Sequence, residues 1–211
     1  PIVFHYDFLK KLSEEIDCTI VMPIYPKAPN YTFETTIPMV VNTYTDLLTR
    51  VDSQNITVMG DSAGAAMSLS VCQYFKTQNI PQPADIIVFS PCMDGKFDNP
   101  DIAEYQSRDF MLAQKMLIVK ISSYAGSEEN LENYLVSPIY GDFNGLAPIT
   151  LFMGTEEILL PDVRLFVNMA KEQEIDLNYY EYEHMLHVFP LFPIPEAVEV
   201  RGMVKDIILD K

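Results

Sequence analysis

A serine with a glycine two residues away on either side, Gly60-Asp61-Ser62-Ala63-Gly64, carries the most chemistry in this sequence. The apolar run Ile56-Thr57-Val58-Met59 leads into it, and Ala63-Gly64-Ala65-Ala66-Met67-Ser68-Leu69 leads out as the small-residue start of a helix. A serine on a strained strand-to-helix turn requires tiny neighbours two positions away, and G-x-S-x-G in that context is the pattern of a nucleophile elbow. The helix that follows would aim its N-terminal dipole and unbonded N–H groups at the serine, where they stabilise a developing oxyanion. Without the strand and the helix, the same five residues describe an ordinary glycine-flanked turn.

A serine hydroxyl needs a base, and the chain has three histidines: His5, His184 and His187. The last two stand in Glu183-His184-Met185-Leu186-His187-Val188-Phe189, beyond the last predicted strand, which puts serine, acid and histidine in hydrolase order. Packing or surface histidines are the bland alternative. A metal pair at a spacing of three is a further one, but no HExxH pattern or carboxylate constellation accompanies it. The acid belongs at the end of the preceding strand, where Phe152-Met153-Gly154-Thr155-Glu156-Glu157-Ile158-Leu159-Leu160-Pro161-Asp162 crowds three carboxylates into one turn. Asp162 sits where the next helix starts and reads as a first-turn or N-cap acid. Glu156 and Glu157 are both placed to orient a histidine and stabilise its imidazolium, with the other left as a solvated turn residue.

These residues need a scaffold that brings strand ends together, and the hydropathy pattern describes one. Strand-length apolar runs at 18–24, 56–59, 85–90, 149–153 and 177–182 alternate with one-sided helical stretches at 6–16, 35–50, 63–78, 161–173 and 195–209. Such alternation predicts βαβ units, hence an α/β fold with a mainly parallel sheet flanked by helices. Between residues 93 and 146 the alternation stops, giving way to short helices at 102–105, 112–124 and 128–134. Roughly fifty residues between two strands exceed an ordinary crossover, so the region of about 95–145 reads as a cap-like insertion over one end of the sheet. Its apolar residues Phe97, Tyr105, Phe110, Met111, Met116 and Tyr124 fit either a small-helix core or the lining of an acyl pocket. With no repeat, low-complexity tract or Gly/Ser linker, all 211 residues are expected to form a single domain.

The composition bounds partners rather than chemistry. Thirty acidic residues against fourteen basic ones give a net charge of −16, which disfavours a nucleic-acid backbone or an anionic membrane surface. No apolar stretch reaches the ~18 residues of a membrane span. Cys18, Cys72 and Cys92 are sparse, apolar in context and without CxxC spacing, which predicts free thiols rather than a disulfide framework or a zinc site. Together with the lack of a visible leader sequence, they point to the cytoplasm, in a chain whose first residue is Pro1.

Taken in order, Ser62, the Glu156/Glu157 turn and His187 make the chain resemble the hormone-sensitive-lipase-like branch of the α/β-hydrolases. Tyr25-Pro26-Lys27-Ala28-Pro29 with Phe33 is similar to the family's Y-R-L-A-P…F segment, and Gly60-Asp61-Ser62-Ala63-Gly64 is its G-D-S-A-G. Ser90-Pro91-Cys92-Met93-Asp94 resembles S-P-x-x-D, and Ser137-Pro138 with Leu146-Ala147-Pro148 resembles S-P…L-P-P. Gly154…Glu157-Ile158-Leu159…Asp162 resembles a variant of the acid turn, and Met185-Leu186-His187-Val188-Phe189 resembles M-x-H-x-F. The resemblance implies a serine carboxylesterase of short- to medium-chain acyl esters that needs no metal or organic cofactor. It assigns Ser62 as nucleophile, His187 as base and Glu157 as acid, with Glu156 as the alternative, and leaves the Ala63 N–H as an oxyanion donor.

The family's H-G-G-G has no counterpart, and no two glycines are adjacent in the sequence. On this reading the chain corresponds to the C-terminal part of the fold, with N-terminal strands missing, one of them from between strand 18–24 and strand 56–59. Unpaired strand edges would favour a homo-oligomer. The glycine N–H groups would supply most of the oxyanion hole, and losing a donor typically lowers kcat about 10²–10³-fold. The resemblance therefore leaves two alternatives to an active esterase: an impaired or inactive hydrolase remnant, or a binding protein on the same fold. A peptidase fits the matched motifs less well.

Overall fold

The computed structural model describes residues 1–210, which form two compact units: Tyr25–His187, and Pro1–Ile24 with the residues from Val188 on. The larger unit is built on a parallel sheet of β1 (Thr57–Asp61), β2 (Asp85–Phe89), β3 (Ile149–Gly154) and β4 (Leu177–Tyr182), in the order β1-β2-β3-β4. The two central strands are apolar along nearly their whole length because both their faces are covered: β3 is buried at every position and β2 at all but its first. The outer strands are wetter. Residues of β1 are half-buried throughout, and β4 mixes half-buried positions with exposed ones such as Asn178 and Tyr180.

Helices fill the crossovers. The serine-bearing turn opens α3 (Ala63–Thr77), which packs on β1 and β2, while α2 (Phe33–Leu48) packs on α3. Stacking of Tyr44 on Phe75, with ring centroids 4.2 Å apart, marks the centre of that contact. On the other side of the sheet order, α6 (Leu160–Glu172) follows β3 and packs against β4, and Phe166 meets Phe143 at 4.6 Å.

The connection from β2 to β3 holds α4 (Ile102–Tyr105), α5 (Gln114–Ala125) and two 3₁₀ turns, with no strand among the described residues. Polar side chains of α3 fasten its later half: Ser70 donates to the Tyr134 carbonyl at 2.7 Å and Gln73 to the Pro138 carbonyl at 3.0 Å, and Lys76 pairs with Asp142. The apolar residues of this connection differ in burial, and the small-helix core reading holds for some of them. Phe97 and Tyr105 are buried in the common core, whereas Phe110, Met111 and Met116 are exposed.

In the smaller unit, α1 (Val3–Ile16) packs against α7 (Pro195–Leu209), with Arg201 bonded to both carboxylate oxygens of Glu15 at 3.0 and 3.1 Å. Phe4 meets Phe192 edge-on at 5.5 Å. The strand predicted at 18–24 does not form: these residues are extended chain without a ladder partner. Apolar patterning can describe a strand, but only an adjacent edge can make one, and this unit offers helices alone. Pro23 also removes a ladder donor from the run. Nor does any described strand pair with the outer edge of β1, where the sequence reading places a further one. No described helix is long and apolar enough to cross a membrane.

Asp162 lies in the first turn of α6, as expected, with 4% of its surface exposed and its Oδ1 accepting from Asn99 at 2.8 Å. Burial pushes its carboxyl from an ordinary 3.8 up to about 6, with Asp94 and Asp98 adding to the shift and the Asn99 hydrogen bond opposing it. An acid that holds its proton more tightly when folded contributes stability fully below the unfolded value and loses it as pH rises through the folded one. Asp162→Asn, which keeps an acceptor for Asn99, is therefore expected to raise the melting temperature at pH 7.5. The advantage should shrink as pH is lowered through 6 toward 4, as followed by circular dichroism.

Candidate active site

Strand β1 runs in ladder register with β2 up to the pair Asp61–Phe89, and the next residue, Ser62, donates its N–H to the Phe89 carbonyl at 2.9 Å. The chain then turns sharply into α3 with Ser62 at φ 52° and ψ −119°, a conformation a non-glycine residue holds only when its surroundings enforce it. Gly60 is part of that enforcement, since a Cβ there would lie 2.4 Å from the Gly64 carbonyl oxygen and 2.7 Å from Ser68 Oγ. Gly64 is not crowded: a Cβ on it would meet no described atom within 4 Å. The expected need for tiny residues on both sides of the serine thus holds on the strand side alone. At the second residue of the helix, the Gly64 Cα already faces open space. Ala63 is the first residue of α3, a position whose N–H has no intrahelical acceptor.

The acid turn and the histidine turn are pressed together by their backbones. Thr155 N–H donates to Tyr182 O at 3.0 Å and Glu156 N–H to Met185 O at 3.1 Å, and a Cβ on Gly154 would fall 2.2 Å from that same Met185 oxygen. This close approach sorts the two glutamates and two histidines into separate pairs. Glu156 accepts from Thr155 Oγ1 at 3.2 Å and lies 3.7 Å from Nδ1 of His184, whose side chain is 86% exposed. Glu157 and His187 turn inward, at 0% and 4% exposure, and Glu157 Oε2 stands 2.7 Å from His187 Nδ1. The other ring nitrogen, Nε2, is 2.9 Å from Ser62 Oγ. A carboxylate against Nδ1 calls for the proton on Nδ1, which leaves Nε2 to accept from the serine hydroxyl.

Glu157 Oε1 faces away from the histidine and accepts from Ser90 Oγ at 2.7 Å and from the Gly154 N–H at 2.8 Å. Ser90 is a site residue the sequence reading used only as part of a motif. It sits one residue beyond β2 at φ 48°, fully buried, and its own N–H donates to Phe152 O at 2.9 Å. A serine at the end of a buried strand, beside the strand that carries the acid, was the available signal. Ser62, Ser90, the Glu157 turn and His187 thus follow β1, β2, β3 and β4 in turn, all at the carboxyl ends of parallel strands, where such sheets place their sites. For all three thiols, burial favours the protonated form over the nucleophilic thiolate. Burial, with Asp162 and Asp94 adding to it, pushes Cys92 up to about 12, and burial raises Cys72 as well.

Comparison with known proteins bears on the family and the fold. A family model described as an alpha/beta hydrolase fold matches residues 2–191. An esterase of Acinetobacter venetianus is 26% identical over 196 residues, covering 92% of this chain and 65% of its own length, so the chain spans just under two-thirds of that relative. Among solved structures, a Staphylococcus aureus protein with a provisional esterase description superposes with a TM-score of 0.95 at 30% identity, over 100% of this chain and 72% of its own. A hormone-sensitive lipase from a metagenome library gives 0.89 at 25% identity, over 95% of this chain and 70% of that one.

The two glycines of the elbow are expected to respond oppositely to alanine. Gly60→Ala should sharply lower the melting temperature or abolish cooperative unfolding, because the obstructing atoms include backbone. Gly64→Ala should be tolerated or stabilise by up to about 1 kcal/mol, the helix-propensity difference. Parallel thermal melts of the two variants check both.

Proposed function

The chain belongs to the α/β-hydrolase-fold family, and from that premise we propose that it is a serine carboxylesterase of the hormone-sensitive-lipase-like branch, acting on short- to medium-chain acyl esters. The observation that carries this reading is the continuous bonded chain from Ser62 Oγ through His187 to a buried Glu157, at 2.9 and 2.7 Å. In the proposed reaction His187 Nε2 takes the hydroxyl proton as Ser62 Oγ attacks the ester carbonyl. Glu157 holds the ring in the reactive tautomer and stabilises the imidazolium, and the Ala63 N–H at the start of α3 faces the developing oxyanion. His187 then returns the proton to the departing alcohol. Water, deprotonated by the same nitrogen, attacks the acyl-enzyme carbonyl, and His187 passes that proton to Ser62 Oγ as its bond to the acyl group breaks and the acid departs.

Neither metal nor organic cofactor enters these steps. The region 95–145 would serve as the cap over the acyl site. The three free cysteines suit a reducing cytoplasm. One specific observation favours the second reading, a catalytically impaired hydrolase or a binding protein. No two glycines are adjacent in the given sequence, so the family resemblance carries over the Ala63 N–H alone as an oxyanion donor, and a missing donor typically lowers kcat about 10²–10³-fold.

Intact-mass analysis after incubation with a fluorophosphonate separates the two. A single adduct on the parent chain and none on Ser62→Ala is the expected outcome, with Glu157→Gln labelled more slowly by a factor of order 10³–10⁴. No adduct on a parent chain that melts cooperatively would overturn the esterase reading in favour of the second. A series of acyl esters of increasing chain length, set beside a peptide amide, then tests the substrate class.

A further inference from the structure

The carboxylate of Glu157 is held by Ser90 and Gly154, but the second half of its turn, leading into α6, is held from elsewhere. Asp109 lies between α4 and α5, far from the sheet in sequence, and is 7% exposed. Its Oδ1 accepts the N–H groups of Met111 and Leu112, both at 2.8 Å, which closes the local turn ahead of α5. Its Oδ2 accepts the N–H of Ile158, the residue directly after Glu157, at 3.0 Å. Ile158 is fully buried, and the Asp109 backbone is itself anchored, its N–H donating to the Tyr105 carbonyl at 3.0 Å. No cationic side chain pairs with Asp109 among the described residues, so three backbone N–H groups are what hold its carboxylate.

The local turn does not require that arrangement. A single acceptor closes it, and serine, threonine or asparagine supplies one without burying a charge. Burying a carboxylate is unfavourable unless every oxygen is used, and the second oxygen of Asp109 is used at the acid turn. Asparagine would set an NH₂ group against one of the two sets of N–H donors, whichever way it was flipped.

We propose that Asp109 is a positioning residue for the catalytic acid: through the Ile158 N–H it fixes the turn that keeps Glu157 Oε2 on His187 Nδ1. The proposal rests on the triad reading above. Asp109 touches no reacting atom, and its action runs through Glu157 alone. The β2–β3 connection thereby becomes a mechanical support of the triad as well as a candidate cap.

The test compares fluorophosphonate labelling rates of Ser62 in the full chain and in Asp109→Ser, which keeps the local turn but cannot reach Ile158. Asp109→Asn serves as the second variant, and both are repeated in a Glu157→Gln background. A displaced catalytic group lowers rates by up to about 10²-fold, so a ten- to hundredfold fall is expected when Glu157 is present. Less than a threefold fall is expected when it is absent, because groups acting through one another are not additive. The downfield proton resonance of the His187–Glu157 hydrogen bond should weaken or shift in both folded variants. Unchanged labelling, or the same fall in both backgrounds, overturns the proposal, as does loss of folding in both variants, which would make Asp109 a stability residue. Equal labelling of Ser62→Ala and the parent would instead overturn the triad reading, and is recognised before any Asp109 variant is made.

Discussion

A carboxylate with no solvent exposure must be met by hydrogen-bond donors on every side, and much of this site is arranged around meeting Glu157. Three donors reach it from three separate stretches of chain: a serine hydroxyl beyond β2, a backbone N–H at the end of β3, and an imidazole N–H beyond β4. None of them is close to another in sequence, so the carboxylate is satisfied only when the sheet is formed in register. The dependence also runs the other way. A buried acid left without one of these donors would destabilise the strand ends that surround it, so folding and the geometry of the site are coupled.

The parallel sheet makes that convergence possible. Parallel strands put their carboxyl ends on one edge, and each turn leaving that edge delivers one residue to a common place. The turns differ in how they are held. At the elbow, crowding against Gly60 and a ladder-like bond to Phe89 sustain the positive φ of Ser62. At the acid and histidine turns, two backbones lie so close that Gly154 cannot carry a side chain. The long connection between β2 and β3 contributes through Asp109 as well as through the α3 side chains that anchor it.

Edges explain where the strand reading succeeded and where it failed. The runs at 85–90 and 149–153 are apolar enough to be buried on both faces, and they became the central strands. The run at 18–24 is as apolar, but it has no described neighbour to pair with and contains Pro23, so it stays extended without becoming a strand. Hydropathy records that a segment avoids water. It does not record what the segment meets.

Residue types and their order were enough to name the α/β class, the serine on its strand-to-helix turn, and the candidate acid and base within a few residues. Those features are local: an apolar run, a glycine pair and a helix start interact over a handful of positions, and their spacing is written along the chain. Sequence order alone left Glu156 and Glu157 both eligible, since adjacent residues on a turn can point either way. In the tertiary structure the two face different histidines, Glu156 the exposed His184 and Glu157 the buried His187. Ser90 and Asp109 were likewise settled only by the fold, because their partners lie 67 and 49 residues away and a hydrogen bond over that separation has no signature in local pattern.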